Sequence, residues 1–444
     1  MLDLIGIGFG PSNLALAIAL DEHNRTTTGP DGLQARFFEK QPRFGWHRGM
    51  LIDDATMQVS FLKDLVTMRN PSSDFSFLSY LHSKGRLVDF INHKILFPLR
   101  LEFHDYLEWA AQRMRHVVDY DSEVIDVRPV TDSDVVACFD VVVRRGGPSG
   151  EIEVRRARNL VIAVGLELSV PSGVRLCDRV WHNLDLLERL AALPDVPSPR
   201  RFIVVGAGQS AAEATEYLHR RFRQAEVCSL FARYGYTPAD DTPFANRIFD
   251  PEAVDLYFSA PKEVKRMLFD YHRNTNYSVV DAELIQELYR RVYQEKVQGR
   301  QRLRILNASR LVDVAVTADG VEATVEFMPT GERNLLTSDV LVYATGYRPV
   351  DPVRVLGEAG QLCLRDEEGM VRVERDYRIA TSTPTQGAIY LQGGTEHTHG
   401  ITATLLSNIA VRSGKIVQSM AEPAAGWAPE PVPRQPNALC REPA

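Results

Sequence analysis

The sequence predicts an α/β protein that contains two βαβ units, the second of them inserted into the first. The first unit opens with an apolar strand at Leu2–Ile7, a glycine-rich turn and a helix over residues 12–20. The same order recurs far downstream, with a strand at Arg201–Val205, a turn over residues 206–210 and a helix over residues 211–222. A strand that runs through a tight glycine turn into a helix is the usual opening of a dinucleotide-binding fold. We therefore predict two Rossmann-like dinucleotide-binding domains with a substrate pocket at their junction.

The first unit continues with segments that suit a mostly buried sheet. A second strand, Ala35–Phe38, completes the βαβ opening and ends at Glu39. Residues 138–145 and 151–156 flank a glycine-rich turn and predict a hairpin. Residues 159–164 are apolar and predict a further buried strand that ends at a glycine.

The second unit adds a strand over residues 226–231 directly after its helix. An apolar strand over residues 340–344 then runs into Gly346, and we assign it to the return into the first domain. The predicted division is residues 1–165 and 336–420 for the first domain and residues 166–335 for the inserted one. Residues 421–444 are rich in proline, alanine and polar side chains, which predicts a disordered tail.

The composition limits the classes of function. A chain of 444 residues with a net charge of −7 has no basic surplus that would favour nucleic acid or an anionic membrane. Its five cysteines are scattered without a CxxC pair, which argues against a disulfide framework, a zinc site or a dithiol redox centre. The apolar N-terminal run carries Asp3, Asn13 and several glycines in place of a signal-peptide pattern. We expect a cytoplasmic protein that binds neither membrane nor nucleic acid.

The first glycine turn has the pattern of a cofactor-binding loop. Gly6 allows the tight turn, Gly8 lets the backbone approach a pyrophosphate, and Gly10 precedes the helix. Pro11 stands where the generic motif has its third glycine, and a helix that begins there still offers its N-terminal amides to a pyrophosphate. Glu39, at the end of the second strand, is placed to bind ribose hydroxyls. The alternative interpretation is a glycine turn with a purely structural role.

The second glycine turn follows a strand and opens a helix, which is the context that the motif requires. Gly206 and Gly208 are followed by Gln209 and Ser210, and the third motif position is alanine. The next strand ends near Arg233, where no acidic residue stands to bind a ribose 2′-hydroxyl. Because an arginine suits a 2′-phosphate, the sequence favours NADPH over NADH. A solvated surface arginine is the alternative.

Longer blocks carry a family resemblance. Trp46 and His47 precede the block MQVSFLKDL at residues 57–65 and the tripeptide RNP at 69–71. Further blocks lie at residues 102–109, 206–212, 241–251, 274–281, 344–347 and 393–408. With these blocks the sequence closely resembles the microbial N-hydroxylating flavin monooxygenases, which act on L-ornithine or L-lysine for siderophores and related metabolites. It is most similar to the ornithine enzymes. The resemblance implies FAD in the first domain, NADPH in the second, and a homo-oligomer, a tetramer in the family.

The resemblance also assigns a substrate site. It implies that Lys63 and Asn246 hold the carboxylate of L-ornithine and that Asn276 meets its amino group. A lysine supplies a point charge for a carboxylate, whereas asparagines form hydrogen bonds without adding charge, so Asn276 is also expected to act in catalysis beside a neutral amine. The residues alone favour another interpretation, in which Lys63 pairs with Asp64 on a surface helix and the asparagines belong to turns.

The same resemblance assigns contacts to the flavin. Met57 and Gln58 fall where the flavin ring packs, Trp46 and His47 are further cofactor-binding residues, and Ser407 lies close to flavin and substrate. We expect Gln58 and Ser407 to act in catalysis.

A metal site is the alternative interpretation of one of the blocks. His397 and His399 stand two residues apart, but no third ligand cluster and no thiolate accompanies them. We expect no metal, and we expect their segment to form a loop that borders the flavin.

The implied reaction leaves alternatives open. NADPH would reduce FAD, dioxygen would form a C4a-hydroperoxide on the flavin, and the neutral amine of ornithine would take up the distal oxygen. The sequence shows no obvious general base. Lysine as substrate differs by one methylene, so it remains an alternative. Oxygenation of another nucleophile and a flavin-binding regulator without turnover are further alternatives.

Overall fold

A computed structural model describes residues 1–27, 32–193 and 199–422. Its strands are β1 (Leu2–Ile7), β2 (Ala35–Phe38), β3 (Val118–Asp119), β4 (Ser122–Asp132), β5 (Val135–Arg145), β6 (Glu151–Ile162), β7 (Leu166–Leu168), β8 (Val180–His182), β9 (Arg201–Val205), β10 (Glu226–Leu230), β11 (Leu303–Leu306), β12 (Ser309–Val316), β13 (Val321–Phe327), β14 (Glu332–Ser338), β15 (Val340–Tyr343), β16 (Tyr347–Pro349) and β17 (Ile389–Leu391). Its α-helices are α1 (Pro11–Thr26), α2 (Phe77–Ser83), α3 (Leu87–His93), α4 (Arg100–Arg113), α5 (Leu186–Ala191), α6 (Gln209–Arg221), α7 (Pro251–Ser259), α8 (Lys262–His272), α9 (Ala282–Val297), α10 (Val353–Leu356), α11 (Glu396–His399) and α12 (Ile409–Ala421). The tail predicted for residues 421–444 lies outside the described residues from position 423 onward.

The first glycine turn follows β1 in a seven-stranded sheet. The strand order is β3-β2-β1-β6-β5-β4, and β17 pairs with β6. β1 runs parallel to both β2 and β6, which confirms the predicted βαβ opening. β5 and β6 pair antiparallel with Arg145 opposite Glu151, which confirms the predicted hairpin.

One strand of this sheet is longer than the sequence predicted. Residues 151–156 and 159–164 predict two strands, but β6 is continuous from Glu151 to Ile162. Its first part pairs antiparallel with β5, and its second part pairs parallel with β1 and β17. The residues of β6 alternate between polar and apolar in its first part and are mostly apolar in its second part. The second part pairs with parallel strands and is buried on both faces, and such a strand carries a continuous apolar run.

The second glycine turn belongs to a five-stranded parallel sheet with the order β11-β10-β9-β15-β8. β9, α6 and β10 form the second βαβ opening, as predicted. The assignment of residues 340–344 to the first domain is wrong, because β15 lies beside β9 with Val342 opposite Val204. A strand buried on both faces has no polar side that would indicate its sheet. The division into two domains stays a proposal, with the inserted unit extended to include β15.

Two connections join the sheets and run side by side. β7 leaves the first unit after β6, β16 returns after β15, and the two pair antiparallel with Tyr347 opposite Leu168. Residues of α1, α4 and α12 share an apolar core beside the first sheet, and residues of α6 and α9 pack in a core with the second. Among the residues that the structure describes, no helix is long and apolar enough to cross a membrane.

Candidate active site

The first glycine turn is shaped by close contacts that exclude side chains. Gly8 has φ +84°, and a Cβ added to it would lie 2.5 Å from the carbonyl oxygen of Ala163. At Gly6 an added Cβ would overlap the ring of Phe37. Gly10 precedes the first residue of α1, Pro11, and a Cβ there would meet no atom within 4 Å. The turn therefore presents the positive end of α1 to open space at the carboxyl edge of the sheet, an arrangement that fits a pyrophosphate.

Glu39 is placed directly against this turn. Its carboxylate accepts hydrogen bonds from the backbone N–H groups of Phe9, at 2.7 Å, and Gln41, at 2.9 Å. It is buried at the end of β2. A carboxylate that accepts two N–H bonds keeps lone pairs for further donors such as ribose hydroxyls.

Trp46 and His47 lie beside the connection between the sheets. The centroids of their rings are 4.6 Å apart, and the ring of His47 stands edge-on to that of Tyr347. Burial, reinforced by the charge of Arg100, lowers the pKa of His47 to about 4, so the imidazole is neutral at pH 7. Met57 is buried in the core around α1.

The second glycine turn repeats the geometry of the first. Gly206 has φ +146°, and an added Cβ would overlap the carbonyl oxygen of Ala344, which follows β15. Gly208 precedes the first turn of α6, where Gln209 and Ser210 stand. The N-terminal amides of α6 are therefore offered at the carboxyl edge of the second sheet, as a second dinucleotide requires.

Arg233 is linked to this turn by Ser278, which contacts both. Its Nη1 donates to the carbonyl oxygen of Ser278 at 2.7 Å, and the Cα of Ser278 is 3.5 Å from the position of a Cβ on Gly208. A guanidinium has five N–H donors, so most of the donors of Arg233 stay available to a phosphate.

A polar link that the sequence did not reveal connects the two units. Gln58 Nε2 donates to Asp281 Oδ1 at 3.1 Å, and Gln209 Nε2 donates to Asp281 Oδ2 at 2.8 Å. Gln209 also donates to Glu213 at 2.9 Å, and Glu213 receives two bonds from Arg100 at 2.7 and 2.8 Å. Asp281 precedes α9 without capping it, so its side chain serves this link instead.

Lys63 is not paired with its neighbour. Asp64 accepts bonds from the backbone N–H groups of Val66, Thr67 and Phe77, at 2.6 to 2.9 Å, which contradicts the surface-pair interpretation. Among the described residues Lys63 forms no ion pair, and its Nζ lies 5.6 Å from the ring centroid of Phe249. Burial lowers the pKa of Lys63, whereas the charge of Asp250 opposes that shift.

The turn that carries Phe249 also carries Asn246. This turn spans Ala245–Phe249 and packs on the turn Ile401–Thr404. Asn246 Nδ2 donates to the carbonyl oxygen of Asp241 at 2.7 Å, and its side-chain oxygen has no hydrogen-bond partner among the described residues, so it can accept from a ligand. Lys63 and Asn246 therefore lie on neighbouring surfaces.

Asn276 lies in a second polar cluster. It directly precedes Tyr277, whose hydroxyl donates to Glu396 Oε1, and Thr404 Oγ1 donates to the same oxygen at 2.7 Å. Ser407, buried, follows in the turn before α12. Glu396 was not predicted as a site residue from the sequence, because in the segment 396–400 only the two histidines form a recognisable pattern.

Those histidines are engaged by the protein itself. His397 Nε2 lies 2.8 Å from the carbonyl oxygen of Val371, and His399 contacts the Arg375 carbonyl oxygen and the Thr398 hydroxyl. Burial lowers the pKa of His399 to about 3. Within residues 1–27, 32–193 and 199–422, no group of three His, Cys, Asp or Glu side chains is arranged to hold a metal ion.

Known proteins with similar sequences and structures include L-ornithine and L-lysine monooxygenases. The family model described as L-lysine 6-monooxygenase/L-ornithine 5-monooxygenase matches residues 1–349. The L-ornithine N(5)-monooxygenase of Burkholderia cepacia is 42% identical over 407 residues, which are 90% of each chain. The structure of the ornithine N-hydroxylase of Kutzneria sp. 744, with reduced FAD, NADP+ and L-ornithine, superposes with a TM-score of 0.89 at 48% identity, covering 95% of this chain and 99% of that one. For the L-lysine 6-monooxygenase of Pseudomonas syringae the TM-score is 0.81 at 30% identity, with 95% and 99% covered. The chain belongs to the L-lysine 6-monooxygenase/L-ornithine 5-monooxygenase family.

Proposed function

We propose that the protein is an L-ornithine N5-monooxygenase that uses FAD, NADPH and dioxygen. The observation that carries the proposal is Lys63, a half-buried cation without an ion-pair partner among the described residues. It lies beside the turn of Asn246 and five positions after Gln58 in the chain, so an amino-acid carboxylate bound there would be close to the flavin-side residues.

The two glycine turns fit the two cofactors. FAD, when bound, supplies the reaction with dioxygen, and NADPH supplies the reducing equivalents. The chain contributes the start of α1 and Glu39 for one dinucleotide, and the start of α6 with Arg233 for the other. The link through Asp281 holds Gln58 and Gln209 at a fixed separation.

The substrate is recognised by its α-amino-acid end. Lys63 binds the carboxylate, and the amides of Asn246 and Asn276 complete the contacts without adding charge. Ornithine is favoured over lysine because similarity to the Kutzneria ornithine enzyme, at 48% identity, exceeds that to the Pseudomonas syringae lysine enzyme, at 30%. The two substrates differ by one methylene, so a measurement must decide between them.

The reacting amine must be neutral, because an ammonium has no lone pair. The carboxylate beside Asn276 is that of Glu396, which already accepts bonds from the hydroxyls of Tyr277 and Thr404. Each hydroxyl hydrogen bond weakens the electrostatic stabilisation that this carboxylate would give to the protonated amine. We further propose, from the family resemblance, a cytoplasmic homotetramer that serves siderophore or related biosynthesis.

The test offers ornithine and lysine together to the FAD-loaded protein with NADPH and detects oxygenated products by mass. We expect hydroxylated ornithine to dominate, with NADPH oxidation that increases when ornithine is added. Hydroxylated lysine as the main product would move the substrate assignment to lysine. NADPH oxidation that no amine stimulates, with no product, would favour a flavin-binding regulator or another nucleophile.

A further inference from the structure

Arg412 is a fully buried cation at the carboxyl edge of the first sheet. It lies on α12 and is 2% exposed. Its Nη2 donates to Ser12 Oγ at 3.1 Å, its Nε donates to Gln392 Oε1 at 3.2 Å, and its Nη1 donates to the carbonyl oxygen of Ala403. All three acceptors are neutral, so these bonds leave the charge uncompensated.

No carboxylate balances this charge within the part of the chain that the structure describes. Among the described residues Arg412 takes part in no ion pair, whereas the partly buried Arg69 and Arg302 each have a carboxylate within 4 Å. Burial alone lowers the pKa of Arg412, and only the phenol of Tyr377 opposes that shift. An unpaired buried charge is among the most unfavourable features of a folded protein, so such a group is retained where an anion meets it.

The surroundings of Arg412 increase this imbalance. Ser12 is the second residue of α1, so the guanidinium lies beside the positive end of a helix, where cations are unfavourable. Gln392 donates to Asn13 Oδ1 at 3.0 Å, and Asn13 donates to the carbonyl oxygen of Gly8 at 2.7 Å. Arg412 is therefore connected by hydrogen bonds to the glycine turn itself, on the side of the sheet where Gly10 faces open space.

We propose that Arg412 is a binding residue for the pyrophosphate of FAD, with the two phosphates as the counter-charge that the protein lacks. This inference rests on the proposed function only in taking FAD as the occupant of the first turn. The helix start supplies N–H donors to the phosphates, and Arg412 adds a full positive charge behind them in a site of low dielectric constant. Without FAD the guanidinium destabilises the protein, and with FAD the two opposite charges stabilise each other.

The test compares apoprotein and FAD-loaded protein for Arg412→Gln, Arg412→Lys and wild type. Flavin fluorescence quenching gives the dissociation constant of FAD, and thermal melting gives the stability of each form. For Arg412→Gln we expect FAD to bind about ten- to a hundredfold more weakly, since a charge-assisted contact is lost. We also expect its apoprotein to melt no lower than the wild-type apoprotein, because an unpaired buried charge has been removed. Arg412→Lys keeps the charge and should recover most of the affinity.

Ser413→Ala serves as the matched control, since Ser413 is fully buried on the same helix and carries no charge. It should leave the affinity for FAD unchanged. FAD affinity within twofold of wild type in Arg412→Gln, with apoprotein and holoprotein melting points lowered in parallel, would make Arg412 a structural tie and overturn the proposal. Failure of Arg412→Gln to fold while Arg412→Lys folds would also overturn it. A wild-type apoprotein that does not bind FAD would instead refute the proposed function.

Discussion

The carboxylate next to Lys63 in the chain is already engaged by other groups. Asp64 bonds to three backbone N–H groups and the hydroxyl of Thr67, which leaves Lys63 without an intramolecular counter-ion among the described residues. A half-buried cation in that state is suited to bind an anion from outside. Its role as the carboxylate-binding residue stays a prediction.

Lys63→Ala should raise the KM for ornithine by about one to two orders of magnitude, because a charge-assisted contact is lost. FAD content and basal NADPH oxidation should persist. Steady-state kinetics at varied ornithine provide the measurement. Lys262→Ala, which removes an exposed lysine paired with Glu368, is the control and should keep the wild-type KM. A Lys63→Ala protein that loses FAD yet keeps its ornithine affinity would place Lys63 in the flavin site.

Asn276→Asp should uncouple the enzyme. A second carboxylate close to Glu396 would favour the ammonium form of the substrate, which has no lone pair for oxygen transfer. In the wild type, hydroxylation should rise from pH 6 towards pH 9, because the unperturbed pKa of such an amine is about 10.4. Flavin reduction by NADPH should change much less over that range. Hydroxylated ornithine and hydrogen peroxide are measured in both proteins. A flat wild-type profile with chemistry limiting the rate contradicts the neutral-amine step.

Arg233→Ala should reduce the preference for NADPH over NADH by about tenfold, chiefly by weakening NADPH. Arg233 lies next to the second glycine turn through Ser278, with donors left over for a 2′-phosphate. The measurement is the rate of flavin reduction at varied concentrations of each nucleotide. Arg304→Ala is the control, since Arg304 lies on the edge strand β11 and pairs with Glu226 at the start of β10, the end of that strand away from Arg233. Equal use of both nucleotides by the wild type would remove the 2′-phosphate argument.

At the scale of elements, the first unit is joined to the second glycine turn by side chains from three segments. Asp281 precedes α9 and accepts from Gln58 of the first unit and from Gln209 of α6. Burial raises the pKa of Asp281, and the charge of Glu213 acts in the same direction, while the bond from Gln58 opposes it. Burial therefore disfavours the charged form of Asp281. The hydrogen bonds that it accepts from Gln58 and Gln209 offset part of that cost.

Asp281→Asn should weaken NADP+ binding about tenfold and raise the fraction of NADPH electrons lost to hydrogen peroxide. An asparagine has one acceptor and one donor group where the carboxylate had two acceptors, so one glutamine amide meets a donor instead of an acceptor. Flavin absorbance changes give the affinity for NADP+, and product analysis gives the coupling. Asp54→Asn is the matched control, since it removes an exposed cross-unit pair with Arg220. Equal affinities in the two variants would show that the Asp281 link is only structural.

At the scale of the whole molecule, two histidines that folding keeps neutral contribute to the loss of stability in acid. Burial lowers the pKa of His399 to about 3 and that of His47 to about 4. In the unfolded chain each takes up a proton near pH 6.5, so the stability that depends on their neutrality is complete above that pH. It is lost as the pH falls from about 6.5 towards these folded-state values.

His399→Gln should reduce the loss of stability between pH 6.5 and pH 5. One proton fewer is taken up on unfolding, so the slope falls by roughly 1.4 kcal/mol per pH unit. Urea unfolding at a series of pH values measures it. His93→Gln, at an exposed position, should leave the slope as in the wild type. An unchanged slope in His399→Gln would mean that another group controls acid unfolding.

The features that the sequence determined by itself are local ones. Both glycine turns were predictable because each stands between an apolar strand pattern and a helix pattern in the chain, and because Gly8 and Gly206 adopt the positive φ that glycine allows. The family blocks then indicated the cofactors and the substrate class. Neither source of information depends on how distant segments pack.

The tertiary structure decided everything that depends on partners far apart in the chain. β15 belongs to the second sheet, and β6 is one strand with two sets of neighbours, because an apolar segment matches any buried sheet position. Asp64 accepts hydrogen bonds from backbone N–H groups and therefore does not pair with Lys63. Asp281 accepts hydrogen bonds from Gln58 and Gln209, which belong to different units. Such hydrogen-bond partners are chosen by geometry in three dimensions, since one carboxylate can satisfy its lone pairs in many ways that the order of residues does not distinguish.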